Sequence, residues 1–520
     1  MAKTQTWRSR PRSTWVILAA GTVAVALRLP LLHLPAWPDE AGFLSVADAW
    51  HLGGSHATSL YGPYWVDRPP VLITVFGLAG RLGGLVALRL LGALAALVAV
   101  VGVASVARSV AGRRAAAWAA VTAAALLSTP FHWSFMVDGE LVAAPFVAAG
   151  IALVVRGLAG TGHRALLLTA AGGAMAGAAL LTKQNMADVF VFTGALVTMR
   201  LLSRSLAPGV ALRHSGSFAG GVLALVAVTA VWTKAHGTSL GAVFYAMYPF
   251  RLDAAAAAAT DAGFDWGRLA SMGAAALLSG LAVLTVWVVV SGLRRSHRDI
   301  HVLALLVVLA FDLVSVASGT NYWLHYLVQP VVPVAALTGI LAARGSLVRV
   351  WGVVAAVAAL AAWAVLLASP PQTGEELVGT AIAGSSSPGD TIVSIPGHAN
   401  VNYAAGLRSP YPYLWATPAR TLDPGGVKLK RLLGGPRAPT WLVSSRAVRP
   451  SGKQGAVGTA IADHYREVRR ICGRVVYLHD DVRRSALVAR PRPGAGRTSR
   501  CQSTALLPRL LREVTGTASS

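Results

Sequence analysis

Two adjacent carboxylates are the first candidates for chemistry in this chain. Asp39 and Glu40 follow a long apolar run and open the stretch PDEAGFLSVADAW. A carboxylate can take the proton of a hydroxyl group that attacks a substrate. The same two acids could simply begin a helix, because acidic residues are favoured in a first helical turn. The two roles are compatible, and the sequence leaves both open.

Further acids and two basic residues could complete a site with this pair. They are Asp67 and Arg68 in VDRPP, Asp138 and Glu140 in FMVDGELVAAPF, Lys183 in LLTKQN, and His325 and Tyr326 in SGTNYWLHY. Arginine suits the binding of phosphate, because its guanidinium can donate two parallel hydrogen bonds to phosphate oxygens. Acids and cations at one place would suit a reaction on an anionic substrate.

Each of these residues also has an ordinary structural role. Arg68 could be an interfacial side chain that reaches from apolar surroundings to water. Asp138 could be a loop-end acid, and Lys183 a lysine at a helix junction on the membrane surface. A residue such as His325 is more often a hydrogen-bonded interface residue than a metal ligand. No His, Asp or Glu group in the sequence has a dedicated metal spacing, so a divalent metal is left open.

The elements that must position these residues are membrane helices. The chain has 520 residues, of which 55% are hydrophobic and 13% charged, whereas an average soluble domain has about 25% charged residues. The mean hydropathy is +0.57. The net charge of +25 could suggest a nucleic-acid partner, but much of it lies in short loops between apolar runs, where cations set membrane orientation. We therefore expect an integral membrane protein with no nucleic-acid partner.

The apolar runs predict eleven transmembrane helices, since about 20 residues suffice to cross a bilayer. The predicted spans are 15–34, 87–107, 115–133, 141–157, 165–182, 186–202, 217–234, 269–291, 300–317, 325–343 and 350–368. The first run is too long for a secretory signal and lacks an A-x-A cleavage site, which favours a retained anchor. The shorter apolar piece from Val71 to Gly84 contains Arg81 and predicts an interfacial or re-entrant helix in the first outer loop.

The distribution of arginines predicts the orientation of these spans. Alternate loops are richer in arginine, which places them and the N-terminus in the cytosol of a plasma-membrane protein. All the candidate residues then lie at the outer face. The predicted divisions are a cytosolic tail at 1–14, a transmembrane domain at 15–368, an extracytoplasmic domain at 369–490 and a flexible tail at 491–520.

The predicted extracytoplasmic domain has a different pattern from the rest of the chain. Short β-rich runs, DTIVSI, TWLVSS and VVYLHD, and a helical stretch, AVGTAIADHYREVRRI, indicate a small α/β domain. The domain contains the two cysteines, Cys472 and Cys501, which either form a disulfide or are unrelated thiols. The aromatic segment IPGHANVNYAAGLRSPYPYLW could bind an acceptor sugar or could pack as a loop onto the membrane domain.

Several stretches resemble, in the expected order, one superfamily of enzymes. They are PDEAGFLSVADAWHLGG, VDRPPVLITVFGLAGRLGG, ALRLLGALAALVAVVGVASVARSVAG, FMVDGELVAAPF, GAALLTKQN and HYLVQPVVPVAAL. Together they cover most of residues 15–345 and resemble the C-type multi-spanning membrane glycosyltransferases, particularly the bacterial branch of lipid A aminoarabinose transferases and protein O-mannosyltransferases. The expected fold is an α-helical polytopic membrane protein with about 11 transmembrane helices and a small C-terminal α/β domain.

The resemblance implies transfer of a sugar, with inversion, from a polyprenyl-phosphate donor to an acceptor hydroxyl. Asp39 would be the first-loop catalytic residue, activating the acceptor as catalytic base or positioning it, with Glu40 and Asp138 as further catalytic acids. Arg68, which stands where many relatives have Lys before Pro, would bind the donor phosphate together with Lys183. The remaining candidates, Asp67, Glu140, His325 and Tyr326, would contact substrate. Metal dependence varies across this superfamily.

The partners that follow are the lipid-linked donor, the bilayer and an acceptor that is an envelope glycan, a lipid or a protein. Mannose, arabinose and aminoarabinose remain open as the sugar, so the enzyme is expected to be a hexosyl- or pentosyltransferase. Richness in Ala, Val, Gly and Arg is typical of GC-rich genomes such as those of actinobacteria, which tilts the expectation towards mannosyl or arabinofuranosyl transfer in the cell envelope.

Two other classes of function stay open at this point. One is a transporter or lipid flippase, which should show internal repeats and polar groups near the bilayer midplane. The sequence contains no evident repeat, and the candidate acids lie at span ends, which favours the enzyme. The other is a non-catalytic scaffold.

Overall fold

The computed structural model describes residues 11–52, 59–261, 265–319, 321–345, 348–368, 374–445, 455–489 and 501. Most of the predicted cytosolic tail (1–10) and, apart from Cys501, the predicted C-terminal tail lie outside the described residues.

The N-terminal part of the chain is helical. Its helices are α1 (Pro11–Ala26), α2 (Pro38–Ala49), α3 (Pro70–Ser128), α4 (Gly139–Ala159), α5 (Gly162–Thr182), α6 (Asp188–Leu202), α7 (Pro208–Ala235), α8 (Leu240–Met247), α9 (Pro249–Asp261), α10 (Trp266–Leu278), α11 (Leu281–Arg295), α12 (Ile300–Ser318), α13 (Val331–Ala343) and α14 (Val348–Ala368). Short 3-10 helices lie at Leu29–Leu31, Trp50–Leu52, Pro130–His132 and Leu324–Val328. The polytopic helical fold expected from the sequence is confirmed.

Within the described residues, eight helices are long and apolar enough to cross a membrane, or nine if α10 and α11, which meet at 68°, form one broken span. Each of the eleven predicted spans overlaps a helix. Two of them fall in α3, a 59-residue helix whose backbone is not helical at Gly83, Gly84, Ala111 and Gly112. The segment of α3 before Gly83 corresponds to the predicted interfacial helix. Another predicted span corresponds to α6, which has 15 residues and is shorter than the roughly 20 needed to cross a bilayer.

Close contacts between helix backbones hold this helical part together. A Cβ atom at Gly221 of α7 would lie 1.9 Å from the carbonyl oxygen of Ala170 in α5. One at Gly339 of α13 would lie 2.5 Å from the carbonyl oxygen of Ala115 in α3. Since lipid tails are as apolar as leucine side chains, membrane helices associate through tight packing of this kind. A larger residue at either glycine would separate the helices.

The C-terminal part is a small α/β domain, as expected. Its elements are α15 (Gly374–Ala383), β1 (Ile392–Ile395), α16 (Ala399–Ala405), α17 (Ala416–Leu422), α18 (Val427–Leu433), β2 (Trp441–Ser444), α19 (Gly455–His464), β3 (Tyr465–Ile471) and β4 (Arg474–His479), with a further 3-10 turn at Pro424–Gly426. The sheet order is β1-β2-β4-β3, in which β1 and β2 are parallel and the other pairs antiparallel.

One prediction in this domain was wrong. The stretch AVGTAIADHYREVRRI was expected to be helical throughout, but its second half is strand β3, which pairs with β4. Cys472 and Gly473, which connect the strands, both have positive φ, at 51° and 76°, as a two-residue hairpin turn of type I′ requires. Pairing across that turn overrides the local helical pattern. Cys472 also forms a disulfide with Cys501.

The α/β domain docks on the loop between α2 and α3 (residues 59–69) of the helical part. The backbone N–H of Trp65 donates to Pro412 O at 3.0 Å, and Trp65 and Tyr413 form a parallel β-bridge. The backbone N–H of Ser409 donates to the Tyr64 hydroxyl at 3.1 Å. The aromatic segment that could have bound an acceptor or packed as a loop therefore packs on the membrane domain over Ser409 to Tyr413.

Candidate active site

The first acid pair lies at the start of α2. Pro38 occupies the first helical position, and Glu40 Oε2 accepts a hydrogen bond of 3.2 Å from the backbone N–H of Trp37. This is the acidic half of a capping box, in which a side chain three residues into the helix satisfies an otherwise unpaired N–H. The helix-start role left open by the sequence is thus observed, and it fixes where the Asp39 side chain emerges.

Glu40 is fully buried and both of its oxygens are occupied. Arg89 of α3 donates to Oε1 at 3.2 Å and to Oε2 at 2.7 Å, and the backbone N–H of Val137 donates to Oε1 at 3.1 Å. Glu40 therefore ties α2 to α3 and to the loop before α4. This geometry favours a structural role for Glu40 over the catalytic role expected from the sequence.

Sequence reasoning missed Arg89, the partner of Glu40. Its guanidinium also donates to the backbone oxygens of Leu31, Leu34 and Pro35 at 2.7 to 3.0 Å, so it closes the connection between α1 and α2. The available signal was an arginine inside an apolar run, because a charged side chain within a span needs a partner.

Asp39 differs from its neighbour in keeping one oxygen free. It is half-buried, and its Oδ1 accepts a hydrogen bond of 2.8 Å from the indole Nε1 of Trp415, in the α/β domain. None of the described residues donates a hydrogen bond to Oδ2. Asp39 interacts electrostatically with Arg68, His325 and Tyr326. One carboxylate oxygen is therefore fixed while the other can accept a proton.

Arg68 and a second arginine share the carboxylate of Asp67. Arg68 Nη1 lies 3.0 Å from Asp67 Oδ1, and Arg251 Nη2, from α9, lies 2.8 Å from Asp67 Oδ2. With two guanidinium groups on one carboxylate, this group carries one net positive charge. Among the described residues, none accepts a hydrogen bond from Arg68 Nη2, so that edge of the guanidinium can receive a ligand.

The charge on Arg68 is secure despite its surroundings. Burial lowers the pKa of Arg68, but the carboxylates of Asp67 and Asp39 outweigh that effect, and the pKa is raised above its ordinary value. The guanidinium carbon also lies 5.6 Å from the centroid of the Phe43 ring, a favourable position for a cation. No local feature of the sequence places Arg251 next to Asp67.

Lys183 is engaged by a carboxylate. Its ammonium forms a buried ion pair with Glu140 and lies 4.8 Å from the centroid of the Tyr326 ring. His325 Nε2 lies 3.9 Å from Glu140 Oε1. The predicted contact residues Glu140, His325 and Tyr326 are therefore brought together around Lys183, where the pair of opposite charges is neutral.

Asp138 caps α4. Its Oδ1 accepts a hydrogen bond of 2.9 Å from the backbone N–H of Leu141, which is the loop-end role that the sequence left open. Its Oδ2 is buried and has no hydrogen-bond partner among the described residues. Asp138 interacts electrostatically with Asp39, Glu140 and Lys183. It thus stands in the same cluster with one oxygen unused.

The predicted residues therefore form one cluster. Glu40 does not face it and instead binds Arg89. The described residues contain no group of three or more His, Cys, Asp and Glu side chains placed to hold a metal ion. The Lys183 side chain supplies a positive charge beside Glu140 and Asp138.

A second polar cluster inside the helical part was missed. Asp188 of α6 and Asp312 of α12 are fully buried and interact electrostatically with each other. Both oxygens of Asp188 and Oδ2 of Asp312 have no hydrogen-bond partner among the described residues. Gln329 donates to Asp312 Oδ1 at 3.0 Å and accepts from Asn185 at 2.8 Å. The signal in the sequence was Asp312 within the apolar run VVLAFDLVSV, since intramembrane carboxylates are rare.

Comparison with known proteins identifies the fold. No family model matches the chain, and no curated protein matches it. Among solved structures, ArnT from Cupriavidus metallidurans bound to undecaprenyl phosphate matches with a TM-score of 0.59 and 15% identity, over 90% of this chain and 98% of that one. The Archaeoglobus fulgidus oligosaccharyltransferase in complex with Zn and sulfate matches with a TM-score of 0.53 and 14% identity, over 86% and 71%.

A further structure of the archaeal oligosaccharyltransferase AglB from A. fulgidus, in complex with an inhibitory peptide and a dolichol-phosphate, matches with a TM-score of 0.52 and 13% identity, over 84% and 70%. These proteins are C-type glycosyltransferases. At such low identities the likeness shows the fold, and the resemblance expected from the sequence motifs is confirmed at that level.

Proposed function

We propose that this chain, which has the fold of the C-type glycosyltransferases, transfers a sugar from a polyprenyl-phosphate donor to an acceptor hydroxyl at the outer face of the plasma membrane. The observation that carries the proposal is the Asp39 carboxylate, held at one oxygen by Trp415 and open at the other, within electrostatic reach of Arg68. A base beside a phosphate-binding cation is what this reaction needs.

Asp39 would act as the general base. As the acceptor oxygen attacks the anomeric carbon, its proton passes to Asp39 Oδ2. The bond between the anomeric carbon and the phosphate oxygen breaks, and its electron pair leaves with the polyprenyl phosphate. Attack opposite to the leaving phosphate inverts the anomeric configuration. General base catalysis of this kind contributes about 10²- to 10⁴-fold in rate.

The arginines around Asp67 would bind the leaving phosphate. The net positive charge shared by Arg68 and Arg251 favours a phosphate there, and the free edge of Arg68 can donate hydrogen bonds to its oxygens. Lys183 is paired with Glu140, so its part in phosphate binding would be smaller than the sequence suggested. Its ammonium supplies positive charge near Asp138.

The structural neighbours support a lipid-linked donor. One is bound to undecaprenyl phosphate and another to a dolichol-phosphate. For this chain we propose a polyprenyl-phosphate-linked hexose or pentose, with mannose, arabinose and aminoarabinose as candidates and an envelope glycan, lipid or protein as acceptor. From the distribution of arginines we also propose that the N-terminus is cytosolic and that the α/β domain lies outside the cell.

The test is turnover of radiolabelled donors. Purified full-length protein in detergent is incubated with membrane extract and a panel of decaprenyl- and undecaprenyl-phosphate sugars, and wild type is compared with Asp39→Asn. We expect one donor to be consumed, and its turnover to fall about 10²- to 10⁴-fold in the variant. If wild type consumes no donor, or the variant is as active as wild type, the proposal fails.

A transporter or lipid flippase gains support from one observation, the buried Asp188–Asp312 pair within the helical bundle, since intramembrane carboxylates often mark transport pathways. The same donor panel separates the two functions. Transport would move a labelled lipid across proteoliposome membranes without breaking its sugar–phosphate bond, and Asp312→Asn would abolish the movement.

A further inference from the structure

The α/β domain contributes a side chain to the candidate base. Trp415 lies directly before α17, and its indole N–H donates to Asp39 Oδ1 at 2.8 Å. The two residues that this hydrogen bond joins, Trp415 and Asp39, belong to different domains. Every other contact of the cluster described above comes from the helical part.

The indole of Trp415 packs closely against α2. Its ring centroid lies 5.1 Å from that of Phe43. A Cβ atom at Gly42 would lie 2.3 Å from Trp415 Cζ2, so the absence of a side chain there lets the ring approach the helix. Asp39, Gly42 and Phe43 are three and four residues apart and therefore share one face of α2. The ring is held in place by the same face of the helix that carries the base.

The main chain that carries Trp415 is also held. The residues just before it bind the loop between α2 and α3 through the Trp65–Pro412 hydrogen bond, the Trp65–Tyr413 bridge and the contact between Ser409 and Tyr64. That loop continues into Asp67 and Arg68. Docking of the domain therefore sets the position of the indole relative to both the base and the phosphate-binding group.

We propose that Trp415 is a positioning residue for Asp39, and that docking of the α/β domain thereby completes the catalytic site. This inference rests on the proposed function. The indole N–H fixes Oδ1, which orients Oδ2 towards the acceptor hydroxyl, and a hydrogen bond to an ionised oxygen is stronger than a neutral one. Correct orientation of a base is worth a large part of its effect on rate.

The first variant removes only the indole N–H that donates the hydrogen bond to Asp39. Trp415→Phe keeps an aromatic ring against Phe43 but lacks the N–H, and we expect kcat to fall about tenfold, the effect of losing one hydrogen bond to a charged group. The dissociation constant for undecaprenyl phosphate alone should stay at the wild-type value. An unchanged kcat would overturn the inference, and so would a weakened affinity for undecaprenyl phosphate, because that would indicate general disruption of the docked domain.

Trp50→Phe is the matched control. Trp50 follows the other end of α2 and donates its indole N–H to Thr238 Oγ1 at 2.9 Å. The substitution loses an indole hydrogen bond of the same kind, but away from Asp39, and kcat should be that of wild type. A second variant that should have the same effect is Gly42→Ala, whose methyl group displaces the indole from its position against α2. We expect the same loss of kcat as for Trp415→Phe.

A double-mutant cycle separates positioning from a merely structural role. If Trp415 acts through Asp39, adding Trp415→Phe to Asp39→Asn should cost nothing beyond the residual rate of Asp39→Asn. A further tenfold loss would mean that Trp415 acts independently of Asp39 and would overturn the inference. If Asp39→Asn itself is fully active, the proposed function fails. If only Trp415→Phe is fully active, the inference fails and the proposed function stands.

Discussion

Two groups of carboxylates and arginines in the helical part have the same chemistry but opposite environments. In the closed group, Glu40 and Arg89, the side chains are 0% and 4% exposed, and the carboxylate oxygens are all hydrogen-bonded. In the open group, Asp67, Arg68 and Arg251, the arginine side chains are 15% and 37% exposed and an excess positive charge remains. A satisfied ion pair holds elements together, whereas an unsatisfied one can bind a substrate.

The same contrast separates the adjacent residues Asp39 and Glu40. Successive side chains on a helix point about 100° apart, because one turn takes 3.6 residues. Glu40 therefore meets Arg89 and the loop before α4, while Asp39 meets the α/β domain and interacts electrostatically with Arg68, just before α3. Residue type alone could not assign these roles.

The largest effect on stability should come from breaking the closed group. Arg89→Met leaves Glu40 buried without its partner, which we expect to cost about 3–5 kcal/mol of unfolding free energy. Arg81→Met, on the exposed surface of the same helix, is the control and should cost almost nothing. Thermal unfolding in detergent measures both. Equal stability of the two variants would show that the closed group has no special structural role.

A substitution in the open group should affect binding instead. Arg68→Met removes the arginine that is better placed to bind phosphate. We expect the affinity for undecaprenyl phosphate to fall about tenfold or more, and the thermal stability to stay close to that of wild type. Arg251→Met should have a smaller effect, because Arg251 is more exposed. Titration with undecaprenyl phosphate measures both affinities. A larger loss of affinity in Arg251→Met than in Arg68→Met would contradict this comparison.

A third group, in the α/β domain, extends the comparison to pH. Glu375 pairs with Arg474, and His398 lies beside them, with Nδ1 3.8 Å from Glu375. Burial, together with Arg474, lowers the pKa of His398 from 6.5 to about 4. The folded chain therefore keeps this histidine neutral between those values while the unfolded chain takes up a proton, so stability should fall as pH drops from 6.5 towards 4.

His398→Gln should remove this part of the pH dependence. We expect wild type to lose about 2 kcal/mol more stability than the variant between pH 7 and pH 5. Unfolding of the full-length protein, followed by tryptophan fluorescence at both pH values, gives the difference. Parallel pH dependence in the two proteins would show that His398 does not titrate as its surroundings require.

The sequence predicted the features that depend on local composition. Long apolar runs gave the helices, and the ordered motifs around Asp39, Arg68 and Asp138 led to a set of residues that the fold does bring together. The contacts of these residues depend on distant parts of the chain. Trp415 reaches Asp39 from another domain, and Arg251 reaches Asp67 from α9, so no local pattern could reveal either contact.

Two other features could not be predicted for different physical reasons. The stretch YREVRRI looks helical by itself but forms β3, because the turn at Cys472 and Gly473 and pairing with β4 decide its conformation. Arg89 and Asp312 are charged residues within apolar runs, which indicates that each has a partner. The partners, Glu40 and Asp188, lie on other helices and cannot be identified from the local sequence.

The most direct test compares the neighbours Asp39 and Glu40 in one experiment. Turnover of the donor that wild type consumes and the thermal unfolding temperature are measured for Asp39→Asn and Glu40→Gln. We expect Asp39→Asn to lose turnover by about 10²- to 10⁴-fold at nearly unchanged stability, and Glu40→Gln to lose stability because Arg89 is left without its countercharge. Full turnover in Asp39→Asn, or a stable but inactive Glu40→Gln, would contradict the division between the reacting and the supporting acid.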